Sequence, residues 1–185
     1  MRRPLLLLLA LLASVLLGVP AVSGAADARF RVALDGRIGG AVQGTPEDLT
    51  ARFGAPSARR TGRGGTTCEL RWSRIGLRAT YAVLGEGELS ACDDGQFVGA
   101  RLTGSRWHTT RGLRVGTPER RIRATGARRC APGQCFSSTA GTHVRNGWVL
   151  SSHHNRCTGR RSPTVVARTT RGRISSFQVD WIGCE

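Results

Sequence analysis

Two twelve-residue segments of this chain carry the same punctuation. Gly44-Thr45-Pro46-Glu47, closing on Gly54-Ala55, returns 72 positions later as Gly116-Thr117-Pro118-Glu119, closing on Gly126-Ala127. Each copy predicts a short helix, with Thr45 or Thr117 as N-cap, Pro46 or Pro118 at the first helical position and Gly54 or Gly126 at the stop. The first copy places Glu47 and Asp48 where the helix dipole favours acids, and Leu49 and Phe53 form an apolar stripe. The second has Arg120 and Arg121 in that turn and Ile122 as its main apolar residue, so it is expected to be the weaker helix.

Strand patterning follows each helix. Leu70 and Trp72 alternate with Glu69, Arg71 and Ser73, and Leu77, Ala79, Tyr81 and Val83 alternate with Arg78 and Thr80. The second half has Trp148 to Leu150, Thr164 to Thr169, an Arg171-Gly172 turn, then Phe177, Val179 and Trp181 alternating with Gln178 and Asp180. Trp72 and Trp148 are 76 apart and Phe97 and Phe177 are 80 apart, as duplicated units with altered loops would be. The stretch from Phe97 to Leu102 does not alternate cleanly, and its buried face is not readable. The fold class expected is α+β: two tandem units, 26–108 and 109–185, each one short helix plus a three-stranded antiparallel sheet. The strands would form one curved sheet with both helices on its apolar face.

Residues 1–25 read as a signal peptide. Arg2 and Arg3 precede an apolar run from Leu5 to Val19, and small residues follow through Ala28. That run is shorter than the roughly 20 residues a spanning helix needs. No Cys follows it, which excludes a bacterial lipid anchor there, and no transmembrane segment is expected in the mature chain. The expected location is secreted, extracellular or associated with the cell wall. Cys68, Cys92, Cys130, Cys135, Cys157 and Cys184 all follow the signal, and an even set in an exported chain predicts three disulfides. Fifteen pairings are possible in principle. A meander brings Cys68 near Cys92 and Cys157 near Cys184, which leaves Cys130 with Cys135.

The repeated helix, opening Gly-Thr-Pro-Glu and closing Gly-Ala before an antiparallel strand group, resembles the beta-lactamase-inhibitor-protein-like tandem fold, related to small envelope-assembly lipoproteins. The resemblance spans roughly Phe30 to Glu185. It implies a protein that is not an enzyme and that grips a protein partner on a concave sheet or serves as a scaffold accessory. The composition resembles exported proteins of GC-rich actinobacteria.

Chemistry-bearing motifs are sparse. All 28 residues counted as Lys or Arg are Arg, which excludes a Schiff-base or phosphate-loop lysine. His153-His154 matches no zinc spacing, and neighbours on a strand point to opposite faces. Cys130 and Cys135 are too far apart for a thioredoxin-type pair. Asp93 and Asp94 fall in a Gly-rich loop. No cofactor, metal or catalysis is expected. Charge is the remaining signal: residues 26–108 hold 12 Arg and 9 acids, whereas residues 109–185 hold 14 Arg and 3 acids.

The expected activity is therefore that of a non-enzymatic binding module for an unknown protein partner. Arg71, Arg78 and Thr80 on the polar sheet face are the candidate binding residues, and Trp107 is either an interface anchor or buried between the units. The alternative is an acidic polymer or cell-surface component held by the Arg-rich C-terminal half, with Arg160 and Arg161 as candidates.

Overall fold

The structure, a computed structural model, describes residues 28–41, 44–83, 90–131, 135–137, 142–143, 146–156 and 159–180. The signal segment lies outside them, as do Cys157, Cys184 and Trp181. Two short strands and a helix come first: β1 (Arg31–Val32), α1 (Pro46–Phe53) and β2 (Ala58–Thr61). Then follow β3 (Thr67–Trp72), β4 (Leu77–Ala82), β5 (Gln96–Leu102), β6 (His108–Thr109) and α2 (Glu119–Arg123). The remainder is β7 (Arg128–Arg129), β8 (Phe136–Ser137), β9 (Thr142–His143), β10 (Gly147–Asn155), β11 (Arg160–Thr170) and β12 (Arg173–Asp180).

Eight of these strands form one antiparallel sheet in the order β2-β3-β4-β5-β12-β11-β10-β7. The class is α+β, but the sheet has eight strands where two groups of three were expected. The additional strands, β2 and β7, are its edges. All four residues of β2 are exposed, so neither of its faces is covered and no alternation marks it. Arg59 and Arg60 on one edge and Arg128 and Arg129 on the other put charge where an unpaired strand would otherwise recruit another chain.

Alternation in β3 and β4 has the expected outcome: Leu70, Trp72, Leu77, Ala79 and Tyr81 are buried in one core. Ala100, Leu102, Phe177, Val179, Val165, Ala167 and Trp148 continue that face across the sheet. Both Leu49 of α1 and Ile122 of α2 pack into the same cluster. Burying a side chain of this size is worth roughly 1.5–3 kcal/mol, so this shared face is what holds the two ends of the sheet together.

The two helices differ in how they start. In α1, Thr45 is the N-cap, Pro46 is the first helical residue, and the Asp48 carboxylate accepts the backbone N–H groups of Gly44 and Thr45, each at 2.9 Å. The second helix starts one residue later than expected, within the usual uncertainty of such a boundary. The hydroxyl of Thr117 accepts the N–H of Arg114 at 2.9 Å and does not cap the helix. Backbone bonds from Gly116 to Ile174, from Ile174 to Thr117 and from Glu119 to Gly172 hold this segment extended along β12, and Pro118 becomes the N-cap. Helix α2 is left with five residues against eight in α1.

The hairpin between β11 and β12 turns on Arg171 and Gly172, at φ 52° and 70°. Two consecutive positive φ values are those of a type I′ turn, for which Asn-Gly is the preferred pair. The Arg171 side chain is exposed. Arg171→Asn should therefore stabilise the fold by about 0.5–1 kcal/mol, read as a rise in urea midpoint with unchanged slope. A fall in midpoint would show that the Arg171 side chain holds the turn.

Candidate functional site

With one face of the sheet committed to the core, the other presents a row of residues in register. Arg71 pairs with Arg78, Arg78 with Arg101, Arg101 with Gln178 and Gln178 with Val166. One step along, Glu69 pairs with Thr80, Thr80 with Gly99 and Gly99 with Asp180. Arg71, Arg78 and Thr80 do share this face. Glu69 binds both of the first two, at 2.6 Å to Arg71 Nε and 3.2 Å to Arg78 Nη1. The Thr80 hydroxyl is shut off from solvent and has no hydrogen-bond partner.

Arg101 and Arg168 add to this face and were not among the expected residues. Arg168 pairs with Ser176 on β12 and lies diagonally across that strand from Arg101. Desolvation, then the charges of Arg168 and Arg78, hold the Arg101 guanidinium below its usual pKa. Its Nε is buried without a hydrogen-bond partner. A shallow cavity of about 240 Å³ opens here, lined by Arg71, Ser73, Gly76, Arg78, Arg101 and Thr103 among others.

The same face is closed over at β11. Val166 is buried against the Cys130–Cys135 bridge and Val149. Gln178 and Asp180, polar by sequence and expected on an open face, are 1% and 6% exposed. Gln178 donates to both oxygens of Asp180, at 3.1 and 2.9 Å.

Trp107 is not available to a partner. It is fully buried, its ring meets Phe30 and Phe53 edge-on at 5.4 and 5.7 Å between centroids, and its indole N–H donates to the Ile75 carbonyl at 2.6 Å. Arg161 is exposed on β11 in register with His154, and its Nε donates to Ser152 Oγ at 3.2 Å. Arg160 pairs with Asn155 at the far end of the same hairpin, away from Arg71 and Arg78. A second basic surface gathers Arg111, Arg128 and Arg161 around a cavity of about 420 Å³ that includes Ser151 and Ser152.

Other chemistry-bearing side chains have structural partners. Asp93 takes Arg59 Nη2 on both oxygens at 2.9 Å, and a hydrogen bond from Ser90, then Arg59, holds its carboxyl below the usual range. His153 Nδ1 lies 2.9 Å from the Thr164 hydroxyl. Among the described residues no three His, Cys, Asp or Glu side chains gather as metal ligands, and no helix is long and apolar enough to cross a membrane. Cys68 is bonded to Cys92 and Cys130 to Cys135.

No family model matches the chain, and no curated protein does. Two solved structures share part of its backbone course. One is a cysteine-rich secretory protein from Staphylococcus aureus, with a TM-score of 0.42 and 12% identity, covering 77% of this chain and 44% of that one. The other is an extracellular protein containing an SCP domain from Bacillus anthracis, with a TM-score of 0.41 and 11% identity, covering 75% of this chain and 43% of that one. The chain spans less than half the length of either, and similarity at this level leaves the open sheet face as the basis for any functional reading.

Proposed function

We infer that the chain is an exported, non-catalytic binding module that receives the acidic surface of a protein partner on the open face of its sheet. The observation that carries this reading is the row Arg71, Arg78 and Arg101. These three guanidiniums lie side by side on an uncovered stretch of sheet, with Glu69 as the carboxylate paired among them. A rigid sheet presenting planar, bidentate donors suits recognition of surface carboxylates. Two disulfides among the described residues support an oxidising compartment and hence export.

The reading extends to the origin of the fold. Each half contributes a short helix and four sheet strands, and the halves meet where β5 pairs with β12. That arrangement supports a duplication of units 26–108 and 109–185, and it is compatible with the tandem inhibitor-like fold and its protein-gripping sheet. The rival reading, a polyanion binder acting through the C-terminal half, draws on the surface formed by Arg111, Arg128 and Arg161.

The test is partner capture from culture medium and cell surface by the tagged mature protein, followed by affinity measurements on variants. Arg71→Gln with Arg78→Gln should weaken the complex about ten-fold or more, and Arg160→Gln with Arg161→Gln less than about two-fold. The reverse order, with a steep loss of affinity as salt rises, would replace the protein-partner reading with the polyanion one.

A further inference from the structure

One long strand of the sheet is covered along only part of its outer side. On its inner side β10 pairs with β11 from Gly147 to Asn155. On its outer side β7 pairs with Trp148 and Val149 and stops. The cause lies in both strands. A bulge at Leu150 breaks the spacing of β10 just past Val149, and the chain entering β7 turns in from the end of α2 through Gly126, at φ 74°. Among the described residues no strand pairs with the outer side of β10 from Leu150 to Ser152. An unpaired stretch of this kind is a template for a further strand.

Basic charge surrounds that stretch. The cavity of about 420 Å³ between the start of β7 and β10 is bordered by Leu150, Ser151 and Ser152 and by Arg111, Arg128 and Arg161, and none of its lining residues is acidic. The three arginines approach from different sides. Arg128 is in register with Val149, which packs with Val166 and Cys135, so it belongs to the face away from the helices. Arg111 lies toward the helices, where its Nη1 donates to the Thr125 carbonyl just past α2, at 3.4 Å. Arg161 reaches over from β11 and donates to the hydroxyl and the carbonyl of Ser152, at 3.2 and 3.4 Å. That carbonyl keeps a second lone pair for a neighbouring strand. Among the described residues no carboxylate pairs with any of the three. The two described acids of this half are engaged elsewhere, Glu119 by Arg123 and Asp180 by Gln178.

We propose that the outer side of β10, from Leu150 to Ser152, takes up an acidic extended segment of a partner polypeptide as an added strand. Successive side chains of a strand point to opposite faces, so adjacent acidic residues on such a segment meet Arg128 on one face and Arg111 on the other. An ion bound on one face reaches only one of them. Main-chain hydrogen bonds to β10 give the affinity, and the arginines select the charge. The same arginines turn away a second copy of this chain, whose own edge strands carry Arg59, Arg60, Arg128 and Arg129. The site stands apart from the row Arg71, Arg78 and Arg101, and its occupant is a different polypeptide from the one received there.

The probe is a synthetic peptide of about eight residues, blocked at both ends, in which pairs of Glu alternate with Val, titrated into the mature, oxidised protein. It should bind saturably and slow hydrogen exchange at the amides between Leu150 and Ser152, with β3 and β4 unchanged. Arg111→Gln and, separately, Arg128→Gln should weaken it about four-fold, whereas Arg71→Gln should change it less than about two-fold. Both side chains are exposed, so the urea midpoints of these variants should match the wild type. N-methylation of the peptide's backbone amides keeps its charge and removes its donors, and it should weaken binding about ten-fold or more. Equally tight binding of the N-methylated peptide or of inorganic polyphosphate would overturn the added strand in favour of diffuse attraction for polyanions. Absence of saturable binding, or binding without protection between Leu150 and Ser152, would overturn it as well. Partner capture that depends on Arg71 and Arg78, alongside no peptide binding, would overturn this site and leave the open-face reading standing; peptide binding alongside capture indifferent to Arg71 and Arg78 would do the reverse.

Discussion

Trp107→Ala lowers the stability of the mature protein by about 3–5 kcal/mol, the cost expected for removing a large aromatic from a packed core. The indole fills space between three separate pieces of chain: Phe30 ahead of β1, Phe53 at the end of α1, and Ile75 in the turn between β3 and β4. Removing it forfeits both edge-on ring contacts and leaves the Ile75 carbonyl without its 2.6 Å donor. For a chain of this size, each kcal/mol lowers the melting temperature by about 2–4 °C, so the variant should melt at least 6 °C or so below the wild type. Trp107→Phe keeps an aromatic at the junction but loses the hydrogen bond, and it should fall between the two. Unchanged stability in Trp107→Ala would show that the indole is not packed in the core and would return it to the list of residues a partner could touch.

The fate of Trp107 illustrates where sequence reasoning stops. Capping chemistry is local, so Thr45, Pro46, Asp48 and Gly54 announce α1 correctly. Alternation is local too, and it identifies β3 and β4 because each has one covered and one open face. The start of α2 depends on bonds to Gly172 and Ile174, more than fifty residues away, and no nearby residue signals them. In β5 a bulge in the pairing between Thr80 and Tyr81 shifts the register against β4, which is why the stretch from Phe97 to Leu102 conceals its phase. Gln178 and Asp180 read as solvent-facing because nothing local reveals their burial; Val166, in register with Gln178 on the neighbouring strand, packs against the Cys130–Cys135 bridge. The candidate site shows the same division. Arg71, Arg78 and Thr80 were legible from alternation within a strand. Arg101 and Arg168 reach them through strand order, which only the assembled sheet supplies.

Replacing both Cys68 and Cys92 with alanine should cost about 3 kcal/mol, and replacing both Cys130 and Cys135 about 2 kcal/mol. The difference has two sources. In the chain-entropy account, a bridge closing 24 positions restrains the unfolded chain more than one closing 5. Location adds to this: Cys68 and Cys92 belong to the main core, where Cys68 stands in register with Tyr81, so the lost sulfur atoms also leave poorly filled space. The Cys130–Cys135 bridge packs instead on Val166 and Val149 over the opposite face of the sheet. Its loss should therefore be more local: faster hydrogen exchange in β10 and β11 around Val149 and Val166, with β3 and β4 protected as before. Urea unfolding of the two double variants, with hydrogen exchange on the same samples, separates these effects. A larger loss from the Cys130 and Cys135 pair would mean that the small cluster on Val166 and Val149, and not the shared core beneath the helices, limits the stability of the sheet.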